Sequence, residues 1–119
     1  MTLERLIHEP ALTAQQILAA ADDPNEVLDA AAVVFAQAEH ALDAAQLALG
    51  EHDAALAKWK ACMDTPESAE RLAALDETGR RGDVAVAAAQ TAWQRYQPWQ
   101  EARARIDAAM EHLRIVQSN

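Results

Sequence analysis

Leu28, Phe35, Leu42, Leu49, Leu56 and Met63 recur at every seventh position with no phase shift. A heptad repeat sustained over this span fits an α-helix that keeps one face toward a neighbour. It does not fit a strand, whose side chains alternate with a period of two. Val27, Val34, Ala41, Ala48, Ala55 and Cys62 each stand one position earlier, and Ala31, Ala38, Ala45, His52 and Trp59 follow at three positions later. The repeat passes through Gly50, which is therefore read as lying inside a continuous helix despite a propensity cost of about 1 kcal/mol.

Capping chemistry marks where the helices begin. Thr13-Ala14-Gln15-Gln16 is a Thr-x-x-Gln capping box, in which two side chains satisfy each other's orphan amides, and it predicts a short helix over 14–21. Asp23-Pro24-Asn25-Glu26 places Asp at the N-cap and Pro at the first helical position, where its missing N–H costs nothing. That start predicts a long helix over 24–63, with Lys58 and Lys60 at its negative end. Thr65-Pro66-Glu67 repeats the device and opens a second long helix over 66–117.

In that second helix Leu72, Leu75, Gly79, Gly82, Val86, Ala89, Trp93 and Tyr96 keep an unbroken 3-4 spacing. After Pro98 the stripe slips by one position and continues as Trp99, Ala102, Ile106, Ala109, Leu113 and Val116, so position 98 marks a kink or stutter. Residues 79–82 have two readings: a loop in which Gly79 ends one helix and Asp83 caps the next, or continuous helix. If the chain reverses at Asp64-Thr65-Pro66, antiparallel pairing sets Gly50 opposite Gly79, with Leu49 against the glycine pair. The expected seam then comprises Leu28, Phe35, Leu42, Leu49, Leu56, Gly50, Gly79 and Gly82, and small side chains along it let the helices approach closely.

Composition agrees with an all-α chain. Only 3 glycines and 4 prolines in 119 residues leave little material for the turns of a sheet. Thirty residues are Ala, whereas Leu, Ile, Val and Phe together number 23, so a hairpin of two helices buries too little by itself. The expected architecture is a single helical domain over 1–119. It is a long antiparallel helical hairpin, Ala-rich and coiled-coil-like, with a short N-terminal helix carrying Leu12, Ile17 and Leu18 against one arm. It forms a helical bundle on homodimerisation.

The chemistry-bearing residues form no catalytic pattern. His8, His40, His52 and His112 lack metal-ligand spacing, and none follows a glutamate by three positions as in di-iron bundles. Cys62 is the lone cysteine and reads as an inert thiol near the turn, while His52 reads as a hydrogen-bonded seam residue. Phosphate-loop, nucleophile-elbow and calcium-loop motifs are absent from the sequence. The expectation is a protein that is not an enzyme and uses no cofactor or metal.

Charge is distributed unevenly. Residues 1–57 hold ten acids and one base, Arg5, while residues 58–119 hold nine of each. Asp29, Glu39, Asp43 and Asp53 belong to a stretch with no Lys or Arg, which repels nucleic acid and attracts a basic surface. Trp93, Tyr96 and Trp99 straddle Pro98 and are the aromatic candidates for partner contact. With no apolar run long enough for a membrane span and charged residues near the amino terminus, the expected location is cytoplasmic. Two functions are then in view. One is a protein-protein interaction or assembly module acting as a helical homodimer. The other is a small acidic inhibitor, of the DNA-mimic or anti-CRISPR kind found in phages, that blocks a basic nucleic-acid-binding surface.

Overall fold

A computed structural model describes residues 2–9 and 11–118, the last by its backbone alone. Four helices follow in chain order, and no strand occurs among the described residues: α1 Leu3–Leu6, α2 Ala14–Ala20, α3 Pro24–Ala61 and α4 Ser68–Ser118. Two of the three predicted caps form. Thr13 Oγ1 accepts from the Gln16 amide at 3.2 Å while the Thr13 amide donates to Gln16 Oε1 at 2.9 Å, closing the box that starts α2. Asp23 Oδ1 accepts from the Asn25 amide at 3.0 Å at the start of α3.

The long helices stop and start two residues from the expected turn. The Cys62 amide donates to the Trp59 carbonyl, the Thr65 amide to Cys62 and the Ser68 amide to Thr65, a run of tight turns that occupies the connection. The Thr65 hydroxyl also donates to the Cys62 carbonyl at 2.9 Å. So Thr65-Pro66-Glu67 makes the turn rather than the first turn of α4.

Helix α4 runs unbroken through Gly79–Gly82, which settles the two readings of that segment. A loop ending at Gly79 needs the left-handed backbone of a helix C-terminus, and no described glycine has a positive φ. Local side chains favour the helical choice: Glu77 pairs with both Arg80 at 2.7 Å and Arg81 at 3.2 Å, one turn on. Pro98 also lies within α4.

The chain divides into two compact units, Met1–Ala38 with Ala92–Asn119, and Glu39–Thr91. The first carries the larger core. Leu6 of α1, Ala14 and Ile17 of α2, Val27, Ala31 and Val34 of α3, and Tyr96, Trp99, Ala102 and Ile106 of α4 are buried together, with Leu12, Leu18, Leu28, Phe35 and Trp93 packed against them. The N-terminal segment covers its arm as the spacing implied, and α1 adds a second, unanticipated cover. The slipped stripe after Pro98 is buried at Trp99, Ala102 and Ile106 but ends there, because residues 107–117 are exposed.

The second unit is a helix pair with small residues at its contact. Its buried residues are Ala45, Gly82 and Ala89. Leu49 reaches toward Gly82, His52 lies against Gly79, and Arg71 Nη1 donates to the Lys58 carbonyl at 3.5 Å. Partners descend α4 as α3 ascends, so the pair is antiparallel.

Two expectations about this seam are corrected. Gly50 does not face Gly79: it is exposed, and an added Cβ would meet nothing within 4 Å. It lies two residues before His52, about 200° around the helix, and so points away when His52 points in. Nor do all the heptad leucines form the buried line. Ala38 and Ala45 are buried, while Leu42 is 37% and Leu49 45% exposed. The alanines are the buried members of this stretch, and the leucines stand at the exposed edge.

Candidate interaction surface

From Asp22 to Asp53 the sequence carries no Lys or Arg. Glu26, Asp29, Glu39, Asp43, Glu51 and Asp53 are all exposed, and among the described residues none takes part in an ion pair. Five of the seven arginines of α4 are instead matched by acids of the same helix, Arg80 and Arg81 with Glu77, Arg103 with Asp107, Arg105 with Glu101 and Arg114 with Glu111, while Arg71 and Arg95 donate to the Lys58 and Ile7 carbonyls. Such exposed pairs stabilise little, about 0–1 kcal/mol each. Their consequence is electrostatic: they quench the positive charge locally and leave the α3 carboxylates uncompensated.

Within the first unit a groove of about 590 Å³ opens between α1 and the start of α3. Leu3, Ile7, Ala20, Ala30 and Val33 supply its apolar lining, and Glu4, Asp22, Glu26 and Asp29 its carboxylates. Glu26, Asp29 and Val33 follow at intervals of three and four, the spacing of one helix side, and Asp22 stands in the bend just before α3. Leu3, Leu6 and Ile7 share the same kind of spacing in the sequence, a signal short enough to pass unread. Helix α1 is held to the unit by Leu6 and by Arg95, whose Nη2 donates to the Ile7 carbonyl. Arg95 Nε is shielded from solvent with no hydrogen-bond partner among the described residues.

The aromatic candidates lie inside. Trp99 is 1% exposed and is the largest fully buried side chain, and Tyr96 is buried as well. Trp93 is half-buried and meets Phe35 edge-on at 5.8 Å and Tyr96 at 5.8 Å, while Phe35 and Tyr96 lie 5.1 Å apart. Trp99 and Tyr96 are thus core residues and not presented anchors, buried in one cluster with Leu6 of α1 and Ala14 and Ile17 of α2. Asp29, Glu39, Asp43 and Asp53 are on the surface where a partner can reach them.

Of the remaining seam residues, Leu28, Phe35 and Leu56 are half-buried. His52 Nδ1 lies 3.1 Å from Thr78 Oγ1, and that hydroxyl donates to the Leu75 carbonyl at 2.9 Å, so the histidine is the donor in the pair. Cys62 is half-buried beside the turn. No group of three or more His, Cys, Asp or Glu among the described residues is arranged to hold a metal ion, and no described helix is long and apolar enough to cross a membrane. No known protein family, characterised protein or solved structure matches this chain.

Proposed function

We propose that this chain is a non-enzymatic protein-protein interaction module that acts as a helical homodimer. The observation that carries the reading is apolar side chains left on the surface: Leu42, Leu47, Leu49, Met63, Leu72 and Val84 of the second unit are all more than a third exposed. A pair of helices whose buried residues are alanine and glycine gains little from its own contact, at about 25 cal/mol per Å² of apolar surface removed.

Sedimentation equilibrium at micromolar concentration tests the reading. A dimer is expected, and Leu42→Gln with Leu49→Gln, seven residues apart on one side of α3, is expected to give a helical monomer. A wild-type chain that is monomeric at these concentrations removes the homodimer.

A second reading has its own observation. The uncompensated α3 carboxylates suit an acidic inhibitor that occupies a basic nucleic-acid-binding surface. Its mark is partner binding that collapses at moderate salt and on neutralising Asp29, Glu39, Asp43 and Asp53 together.

A further inference from the structure

The groove between α1 and the first three turns of α3 combines an apolar lining with acidic residues, and we infer that it is the docking site for a basic amphipathic helix of a partner protein. This assignment rests on the interaction-module reading and names the chemistry of the partner. Along α3 the span from Glu26 to Val33 is seven residues, about 10 Å, or two helical turns. Asp22 before α3, Glu26 and Asp29 on it and Glu4 of α1 all belong to the lining that such a helix would meet. Ala20 and Ala30 leave room at the floor, and Leu3, Ile7 and Val33, itself 48% exposed, offer the apolar contact.

Charge selects the occupant. Four carboxylates line the groove without a basic residue among them, and none is ion-paired among the described residues. An acidic or neutral helix leaves them uncompensated and gains only the apolar contact. A helix with Leu at the i, i+3, i+4, i+7 positions and Lys or Arg beside them satisfies both parts, the groove mode by which amphipathic helices are commonly bound. The tail of a second copy is the poorer fit, because its Arg103, Arg105 and Arg114 are already matched by Asp107, Glu101 and Glu111.

The test uses the full chain and a fluorescently labelled synthetic helix of about 18 residues built from Leu and Lys in that pattern, with a Glu-for-Lys counterpart as control. Anisotropy is expected to give micromolar binding of the Lys peptide and none of the Glu peptide. Neutralising the rim with Glu4→Gln, Asp22→Asn, Glu26→Gln and Asp29→Asn is expected to weaken binding at least tenfold. Neutralising the same number of exposed acids of the second unit with Asp64→Asn, Glu70→Gln, Asp76→Asn and Asp83→Asn is expected to change it by no more than about twofold. Val33→Lys, at a half-exposed position that keeps the fold, is expected to match the rim variant. Equal losses in the two neutralised proteins would show attraction by net charge alone and overturn the site, as would unchanged binding in the rim variant or in Val33→Lys. The oligomer is read separately by sedimentation: a monomer that binds the peptide at the rim retires the homodimer and keeps the groove, and a dimer that ignores the peptide does the reverse.

Discussion

Three glycines on two helices, all with helical backbone, ought to respond to alanine in three different ways. Each Gly→Ala change in a helix interior gains about 0.8–1.0 kcal/mol of propensity, and the neighbours decide how much survives. At Gly50 the new methyl meets nothing within 4 Å, so the whole gain is expected. At Gly82 it would lie 3.6 Å from Leu49 Cδ2, an ordinary contact, and most of the gain remains. At Gly79 it would lie 3.2 Å from His52 Cε1, so the ring must move by a few tenths of an ångström. The ring is tied to Thr78 Oγ1 at 3.1 Å, and losing that hydrogen bond costs about 0.5–1.5 kcal/mol, enough to cancel the propensity gain. Thermal denaturation by circular dichroism reads these differences, because 1 kcal/mol shifts the midpoint of a chain this size by about 3–5 °C. Gly50→Ala should melt about 3–5 °C higher and Gly79→Ala close to wild type. In a His52→Ala background Gly79→Ala should recover its gain, a coupling of about 1 kcal/mol in the double-mutant cycle. A Gly50→Ala protein that melts lower would place Gly50 in a packed contact and refute the register described above.

Trp99→Ala removes the largest fully buried side chain and should cost about 3–5 kcal/mol, seen as loss of cooperative melting. Thr13→Ala opens the capping box of α2 and should cost about 1 kcal/mol in urea denaturation, with Gln16→Ala giving little further loss once Thr13 is gone. Leu113→Gln, on the exposed end of α4, should change stability by less than about 0.5 kcal/mol, and a larger drop would mean that this stretch is covered in solution.

Helix type and most helix limits could be read from the sequence because their causes are local. The capping box at Thr13, the Asp23-Pro24 start and the heptads of α3 each act within a turn or two. The inward face of α3 is not legible in the sequence, for a non-local reason. Heptad spacing lines up Leu42 and Leu49 as readily as it lines up Ala38 and Ala45, and only the partner helix decides which line turns inward. The role of Trp99 depended in the same way on where α1 and α2 settle. For the groove, the acids Asp22, Glu26 and Asp29 were visible as an unpaired run, but their apolar companions Leu3 and Ile7 come from a helix of four residues, too short to announce itself by periodicity.

A contact made of alanine inverts the usual map of substitution tolerance. In a protein held by leucines, truncation at the large positions does the harm; in the helix pair of the second unit the intolerant sites are the bland ones. A valine or leucine at Ala38, Ala45 or Ala89, all buried, has nowhere to go and would force side chains off rotamer or shift the backbone, at about 1–3 kcal/mol per site. The half-exposed leucines beside them can be shortened at less expense to the isolated chain. A deep mutational scan scored for folding would therefore trace the inner line of α3 through its alanines, and the same scan scored for assembly would trace the leucines.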